Sequence, residues 1–168
     1  MKIFVTGGSG FIGSNFINYQ VNEKNKIFNY DKLTYASSID SLISLQNNSY
    51  YMFKKGDIAN VDVLEDAIKF FKPNIIVNFA AETHVDRSID GPKDFIQTNI
   101  FGTYNLLQVS LNYYKSLNMK EKNRFKLIHI STDEVFGTLD DKGFFNENTP
   151  YDPSSPYSAS KASSDHLV

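Results

Sequence analysis

Three observations predict an α/β chain with a Rossmann-type, doubly wound parallel sheet. Short β-rich runs alternate with helical patterns, the runs are compact and apolar, and a glycine-rich turn joins the first run to the first helical stretch. Taken in order, Lys2–Thr6 carries β-branched residues suited to a strand covered on both faces. Phe11 to about Asn22 has helical spacing, with Ile12, Phe16 and Tyr19 as the side expected to face inward. Lys26–Asp31 is a second strand, Ser38–Asn47 a short helix carrying Ile39, Leu42, Ile43 and Leu45, and Tyr50–Lys54 a third strand.

Val61–Phe71 sets Leu64, Ala67, Ile68 and Phe71 at i, i+3, i+4 and i+7, with Asn60 as its N-cap and Pro73 as its stop. Asn74–Phe79 is a fourth strand. Pro92 to about Lys115 reads as one long helix with Ile96, Ile100, Thr103, Leu107 and Leu111 as its inward stripe. Asn118–Arg124 reads as a solvated loop, Phe125–Ser131 as a fifth strand, Gly137–Ser155 as a long loop, and Tyr157 onward as a helix. The expected strand order is 3-2-1-4-5. The six-stranded arrangement needs one more strand, so the sheet is expected to be incomplete at its C-terminal side and the chain reads as a fragment.

Bulk properties narrow the classes. A net charge of −2 gives no electrostatic footprint for nucleic acid or for an anionic membrane. Absence of cysteine excludes disulfides, thiolate metal sites and cysteine nucleophiles, and fits a reducing cytosol. MKIFVTGG lacks the apolar stretch and cleavage site of a signal peptide, and no window approaches the roughly 18 apolar residues of a membrane span. The expectation is a cytoplasmic protein. His84, His129 and His166 show no ligand spacing, so structural roles are expected of them and no metal.

The turn Gly7-Gly8-Ser9-Gly10-Phe11-Ile12-Gly13 follows a strand and opens a helix, as a dinucleotide-binding fingerprint requires. Glycines let the backbone turn sharply and approach a pyrophosphate, and the helix N-terminus aims unpaired N–H groups at it. Asp31 ends the second strand 18 residues after Gly13, where an acid would bond the adenosine ribose. A carboxylate there repels a 2′-phosphate and favours NAD, although the adjacent Lys32 works against that preference. Gly56-Asp57-Ile58 follows the third strand, where a polar side chain can reach an adenine edge.

Tyr157 and Lys161 stand four residues apart on one helical face. An ammonium beside a phenol would lower its pKa and make a proton-relay pair. Ser131-Thr132-Asp133-Glu134 closes the fifth strand at the carboxyl edge where open α/β sheets place their ligands. Two adjacent carboxylates there suggest a general acid and a general base held in different environments.

These segments together, with YDKLTYA, AAETHVDRSI, TNIFGTYNLL, STDEVFG and PSSPYSASKASSD, resemble the extended short-chain dehydrogenase/reductase family, and within it the dTDP-glucose 4,6-dehydratases. The glycine loop and Tyr157/Lys161 are general to the family. Thr132-Asp133-Glu134 and Ala80–Ile89 are the discriminating segments: related epimerases usually carry small hydroxyl residues at positions 133 and 134, and GDP-mannose dehydratases keep the Glu but not the Asp.

The resemblance implies NAD as cofactor and a nucleotide sugar as substrate, with residues 1–168 as an NAD-binding domain lacking its C-terminal substrate-binding part. Gly7, Gly10, Phe11, Ile12 and Gly13 would lie along the pyrophosphate, Asp31, Lys32 and Thr34 around the adenosine ribose, and Asp57 and Ile58 beside adenine. Ala80, Ala81 and Thr83 would line the nicotinamide side, Thr83 also reaching the sugar, with Thr98 and Asn99 close by. Tyr157 would take the sugar 4-hydroxyl proton as C4 is oxidised, Lys161 tuning it and bonding the nicotinamide ribose, while Thr132 bonds the sugar. Glu134 would remove the C5 proton and Asp133, kept protonated, would donate to the departing 6-hydroxyl.

The same resemblance implies a homodimer of the full-length protein, formed through the helical surface of Pro92–Lys115 with the Tyr157 helix. Ala36-Ser37-Ser38 departs from the family's usual small-Gly-Asn turn, and Phe136 stands where Tyr is usual. Another nucleotide-sugar epimerase or dehydratase of this family, or an inactive NAD-binding fragment, remains open on the sequence alone.

Overall fold

The computed structural model describes residues 1–139 and 143–168 and divides into two compact units, Met1–Ala80 with Asn105–Ile130 and Ala81–Tyr104 with Ser131–Val168. The first holds a parallel five-stranded sheet in the order β3-β2-β1-β4-β5 that the sequence predicts. Its strands are β1 (Lys2–Thr6), β2 (Lys26–Asp31), β3 (Tyr51–Lys55), β4 (Ile75–Asn78) and β5 (Lys126–His129), with β3 one residue later than expected.

The strands are apolar on both sides because both faces are covered. Phe4, Phe28 and Ile76 point to one face with Leu64, Ile68 and Phe71; Ile3, Val5, Ile27 and Val77 point to the other with Ile17, Val21, Leu42 and Leu45. Each such side chain, fully buried, contributes about 1.5–3 kcal/mol. At the carboxyl ends the pattern turns polar. Thr6 Oγ1 donates to Asn78 Oδ1, and Asn78 Nδ2 to His129 Nδ1 at 3.0 Å, linking three adjacent strands through residues in register. His129 is thus a structural residue of the sheet.

Helix α1 (Phe11–Asn22) has its expected bounds, but its inward face is Gly13, Ser14, Ile17 and Val21; of the expected face Phe16 packs half-buried against the core, while Ile12 and Tyr19 are exposed. The cause is Gly13, where a Cβ would fall 2.5 Å from Gly7 O. The face beginning there must lie against the loop, which rotates Ile12 outward. The helix expected over Ser38–Asn47 is a shorter 3₁₀ turn, Asp40–Leu45. At three residues per turn it aligns Leu42 with Leu45, which are buried, and leaves Ile39 and Ile43 exposed.

Helix α2 (Val61–Phe71) is as predicted, with Asn60 Oδ1 accepting from Val63 N at 3.3 Å and Lys72 closing it in a left-handed conformation. Asn118–Arg124 is not simply a loop. It holds a one-turn helix, α6 (Met119–Lys122), whose Asn118 and Glu121 cap each other reciprocally.

The second unit contains α3 (Val85–Asp90), which has no counterpart in the sequence reading, then α4 (Lys93–Phe95) and a π-helical stretch, Ile96–Gly102. Helix α5 (Thr103–Ser116) continues this path. The long helix expected from Pro92 is thus unbroken from Lys93 to Ser116, with the π-helical stretch inside it. Of its expected inward stripe Thr103 is buried and Ile100 and Leu107 half-buried, whereas Ile96 and Leu111 are exposed and Phe95, Asn99, Gly102, Leu106 and Val109 are buried instead. Asn99 faces inward with its amide bonded to Glu82 and Ser160. A 3₁₀ turn covers Asp133–Phe136, and α7 runs Pro156–Leu167. Ser155 caps α7 with Ser158, Pro156 occupies its first turn, and Tyr157 N donates to Ser88 Oγ at 3.1 Å. The long loop expected over Gly137–Ser155 is irregular where described; residues 140–142 lie outside the described residues.

Candidate active site

The first unit carries the loop from β1 to α1. Gly7 has φ 68, and a Cβ on it would fall 2.5 Å from Ala80 N, so only glycine fits. Gly10 N donates to Gly7 O at 3.2 Å and Ser14 N to Gly10 O at 2.9 Å, which closes the loop onto the helix. Gly10 itself faces open space, with Gly7 O at 3.4 Å the nearest atom to an added Cβ. The N-terminus of α1 has no side-chain cap, and Phe11 and Ile12 beside it are 85% and 63% exposed. Bare backbone N–H groups flanked by two uncovered apolar side chains make a cradle suited to a pyrophosphate.

Asp31 is buried at the end of β2. Its Oδ2 accepts from Ser9 N at 2.8 Å, and its Oδ1 from Leu33 N at 2.7 Å and Ser37 Oγ at 3.0 Å. This carboxylate therefore binds the glycine loop and the following turn together, besides any ligand it meets. Lys32 is ion-paired to Asp57 at 2.9 Å, so its charge does not stand unopposed beside Asp31. Asp57 Oδ1 also accepts from Ala59 N at 2.9 Å. Thr34, half-buried, lies in the same turn as Ser37. Ile58, expected beside adenine, is a core residue at 3% exposure, so its side chain belongs to packing. The segment is held by Asn105 Nδ2, which donates to Ala59 O at 3.2 Å. Ala80 is half-buried against the same core cluster.

In the second unit Ala81 is half-buried and Thr83 exposed, on either side of Glu82. Asn99 fixes Glu82 through both its backbone groups, accepting from its N–H at 2.8 Å and donating to its carbonyl at 3.0 Å, and it donates to Ser160 Oγ at 2.8 Å. All three polar capacities named here are spent within the protein, so Asn99 is a structural clamp where the sequence suggested a neighbour of the cofactor. Thr98, next to it, remains partly exposed.

Thr132 caps the 3₁₀ turn: its Oγ1 accepts from Glu134 N at 3.3 Å and donates to Asp133 Oδ1 at 3.4 Å. Asp133 is exposed and Glu134 half-buried, so the two carboxylates do stand in different surroundings. Tyr157 and Lys161 share the buried face of α7. Burial pushes the Tyr157 phenol above its usual pKa; a hydrogen bond with Thr132 pulls it down, and the carboxylates of Glu134, Asp133 and Asp165 push it up again. The net shift of the phenol is therefore upward, against the lowering expected from the sequence. Lys161 is itself held below the usual ammonium range by burial, which Asp165 partly offsets.

Asp165 was not picked out from the sequence. It accepts from Ser131 Oγ and from Tyr151 OH (3.2 Å), and it borders a cavity of about 450 Å³ that also includes Thr132 and Asp133. Its one sequence signal is the i, i+4 spacing from Lys161.

A family model described as GDP-mannose 4,6 dehydratase matches residues 4–168. A dTDP-glucose 4,6-dehydratase from Haemophilus influenzae is 51% identical over 170 residues, covering 100% of this chain and 50% of that protein. Among solved structures, a dTDP-glucose 4,6-dehydratase from Bacillus anthracis in complex with NAD is 45% identical with a TM-score of 0.83, covering 99% of this chain and 49% of that one. A dTDP-glucose 4,6-dehydratase from Streptomyces venezuelae with NAD bound is 37% identical with a TM-score of 0.88, covering 99% and 50%. The chain spans about half the length of the relatives it matches. Matched over nearly its whole length, the chain belongs to the GDP-mannose 4,6 dehydratase family.

Proposed function

We propose that the protein dehydrates dTDP-glucose to dTDP-4-keto-6-deoxyglucose with NAD as its cofactor. The observation that carries this reading is one 3₁₀ turn that follows a hydroxyl with two carboxylates, Thr132-Asp133-Glu134, with Thr132 hydrogen-bonded to the buried phenol of Tyr157. The choice of dTDP-glucose rests on the names of the relatives in Haemophilus, Bacillus and Streptomyces. The glycine cradle, the exposed Phe11 and Ile12, and buried Asp31 suit a dinucleotide carrying a free adenosine ribose.

Bound NAD supplies the two-electron acceptor and later donor that oxidation at C4 and reduction at C6 require, so the sugar loses water without net redox change. The residues of the chain handle protons. Tyr157 removes the 4-hydroxyl proton, and Thr132 orients that hydroxyl. A ketone at C4 acidifies the C5 proton, which Glu134 takes as the C6–O bond breaks. Asp133 gives its proton to the leaving hydroxyl, which departs as water. Glu134 then returns a proton to C5. Two carboxylates are needed because the elimination demands a base and an acid at the same moment. Lys161 sets the charge around Tyr157 and would hold the nicotinamide ribose. Thr83 would contact the sugar, and Ala81 and Thr98 would hold the nicotinamide side.

The proposal extends to a cytoplasmic homodimer. Among the described residues no helix is long and apolar enough to cross a membrane. Ile96, Phe101 and Tyr104 present exposed apolar area on the π-helical stretch and the start of α5, a surface for a second copy. A monomeric mass for the protein from its complete gene would remove that part. The activity itself is tested by incubating that protein with NAD and dTDP-glucose and following the sugar by proton NMR. A 6-deoxy-4-keto sugar is the expected product; a C4 epimer, or no conversion, would overturn the reading.

A further inference from the structure

A carboxylate offers about four acceptor positions, two on each oxygen. In Asp31 three are filled by the chain itself: Ser9 N on Oδ2, and Leu33 N and Ser37 Oγ on Oδ1. Ser37 is held in place for this. Its Oγ accepts from Thr34 N at 3.2 Å and its own N–H donates to Thr34 O at 3.0 Å. Ser38 N ties the end of the turn to Ser9 O at 2.8 Å. Within the turn Leu33 has φ 59, a left-handed conformation that leucine avoids and that its bond to Asp31 helps maintain. Ser37 also lies where this sequence departs from the pattern of the family it resembles.

We propose that Ser37 is a specificity-determining residue of the cofactor site: its hydroxyl holds the second acceptor position on Asp31 Oδ1, so that Asp31 takes an adenosine ribose through one hydroxyl, at Oδ2, and not through two. A vicinal diol gripped by both carboxylate oxygens needs one open position on each, and Oδ1 has none while Ser37 stays bound. The inference rests on the NAD reading above, and it makes Ser37 a limiter of ribose recognition.

Isothermal titration of the protein from its complete gene tests this with three probes: NAD and its 2′-deoxy and 3′-deoxy adenosine-ribose analogues. For the wild type, one analogue should bind roughly tenfold more weakly than NAD, the loss of one hydrogen bond to a charged acceptor, and the other within about twofold. Ser37→Ala opens Oδ1, so NAD should bind several-fold more tightly and both analogues should then lose affinity. Ser37→Thr keeps the hydroxyl and should behave as wild type.

Equal losses for both analogues in the wild type would overturn the inference, and that comparison needs no variant to fold. Weaker NAD binding by Ser37→Ala at an unchanged melting temperature would overturn it as well, because Ser37 would then support binding. A wild type that binds no NAD overturns the cofactor reading and this inference with it.

Discussion

Asn99 Nδ2 reaches Ser160 Oγ at 2.8 Å and so joins the π-helical stretch to the turn of α7 immediately before Lys161. The same side chain holds the backbone of Glu82, and it is buried. Removing it deletes three hydrogen bonds, while Ser160 Oγ keeps its bond to Tyr157 O at 2.6 Å. Asn99→Ala should destabilise the protein by about 2–4 kcal/mol, on the scale of buried donors and acceptors left unsatisfied. Urea unfolding measures this; a loss under about 0.5 kcal/mol would mean that water replaces the amide without cost.

The glycines of the first loop should separate into two kinds. Gly7→Ala meets the backbone of Ala80 and a left-handed φ, so it should cost stability, by roughly 2 kcal/mol or more. Gly10→Ala meets little, with nothing nearer than 3.4 Å, and should fold normally. Its methyl group projects into the open side of the cradle, and NAD affinity should fall about tenfold or more. Melting temperature and NAD titration, measured on both variants, should move in opposite order.

Tyr30 links stability to alkaline pH. Burial, aided by the charge of Asp57, pushes its phenol up to about 12, against 10 in the unfolded chain. A raised folded-state value means that the proton is held by the folded form, so the contribution is complete below pH 10 and lost as pH rises toward 12. The loss should approach about 2–3 kcal/mol. Tyr30→Phe cannot ionise. It forfeits the bond to Asp57 O, about 1 kcal/mol, at every pH, but should show a flatter decline in stability between pH 9 and pH 11 than the wild type. Parallel declines would contradict the assignment.

Loss of either paired carboxylate should stall the proposed reaction after oxidation. With Asp133→Asn, C4 oxidation should proceed and water loss should slow about 100-fold or more, so that the 4-keto sugar still carrying its 6-hydroxyl accumulates in mass spectra of quenched samples. A variant that blocks oxidation instead would remove Asp133 from the elimination step.

Glu134→Gln should likewise stop after oxidation, and it should have a second effect. The carboxylate of Glu134 helps to hold the Tyr157 phenol above its usual pKa. Taking its charge away should lower that value, and the rise of single-turnover keto-sugar formation with pH should move to lower pH. An unmoved profile would show that Tyr157 is not the group being titrated.

Much of this was legible in the sequence because it depends on local rules. The strand order followed from five short apolar runs, and the N-cap at Asn60 and the glycine loop from residue types at fixed offsets. Phase was harder. In α1 the inward face is chosen by Gly13, which has no apolar signal, and in the α4–α5 path it includes Asn99, whose polarity argues for the outside. The turn from Asp133 to Phe136 and the position of Asp165 depend on contacts with residues distant in sequence. The direction of the Tyr157 shift was misread for a related reason: spacing reveals Lys161 beside the phenol, but burial and three carboxylates are visible only once the chain is folded.

The side-chain bonds that run from Thr6 through Asn78 to His129 cross three strands that are far apart in the sequence. The apolar pairs Ile3–Ile75, Phe4–Ile76 and Val5–Val77 fix the same register through the face on which each side chain is buried. The polar trio adds a second penalty. A strand docked out of step would trap unsatisfied groups in the interior, at about 1–3 kcal/mol for each. These three residues act as an assembly check on the sheet, and they sit at the same strand ends from which the glycine loop departs. The bonds that align the strands thus lie at the ends from which the glycine loop is positioned.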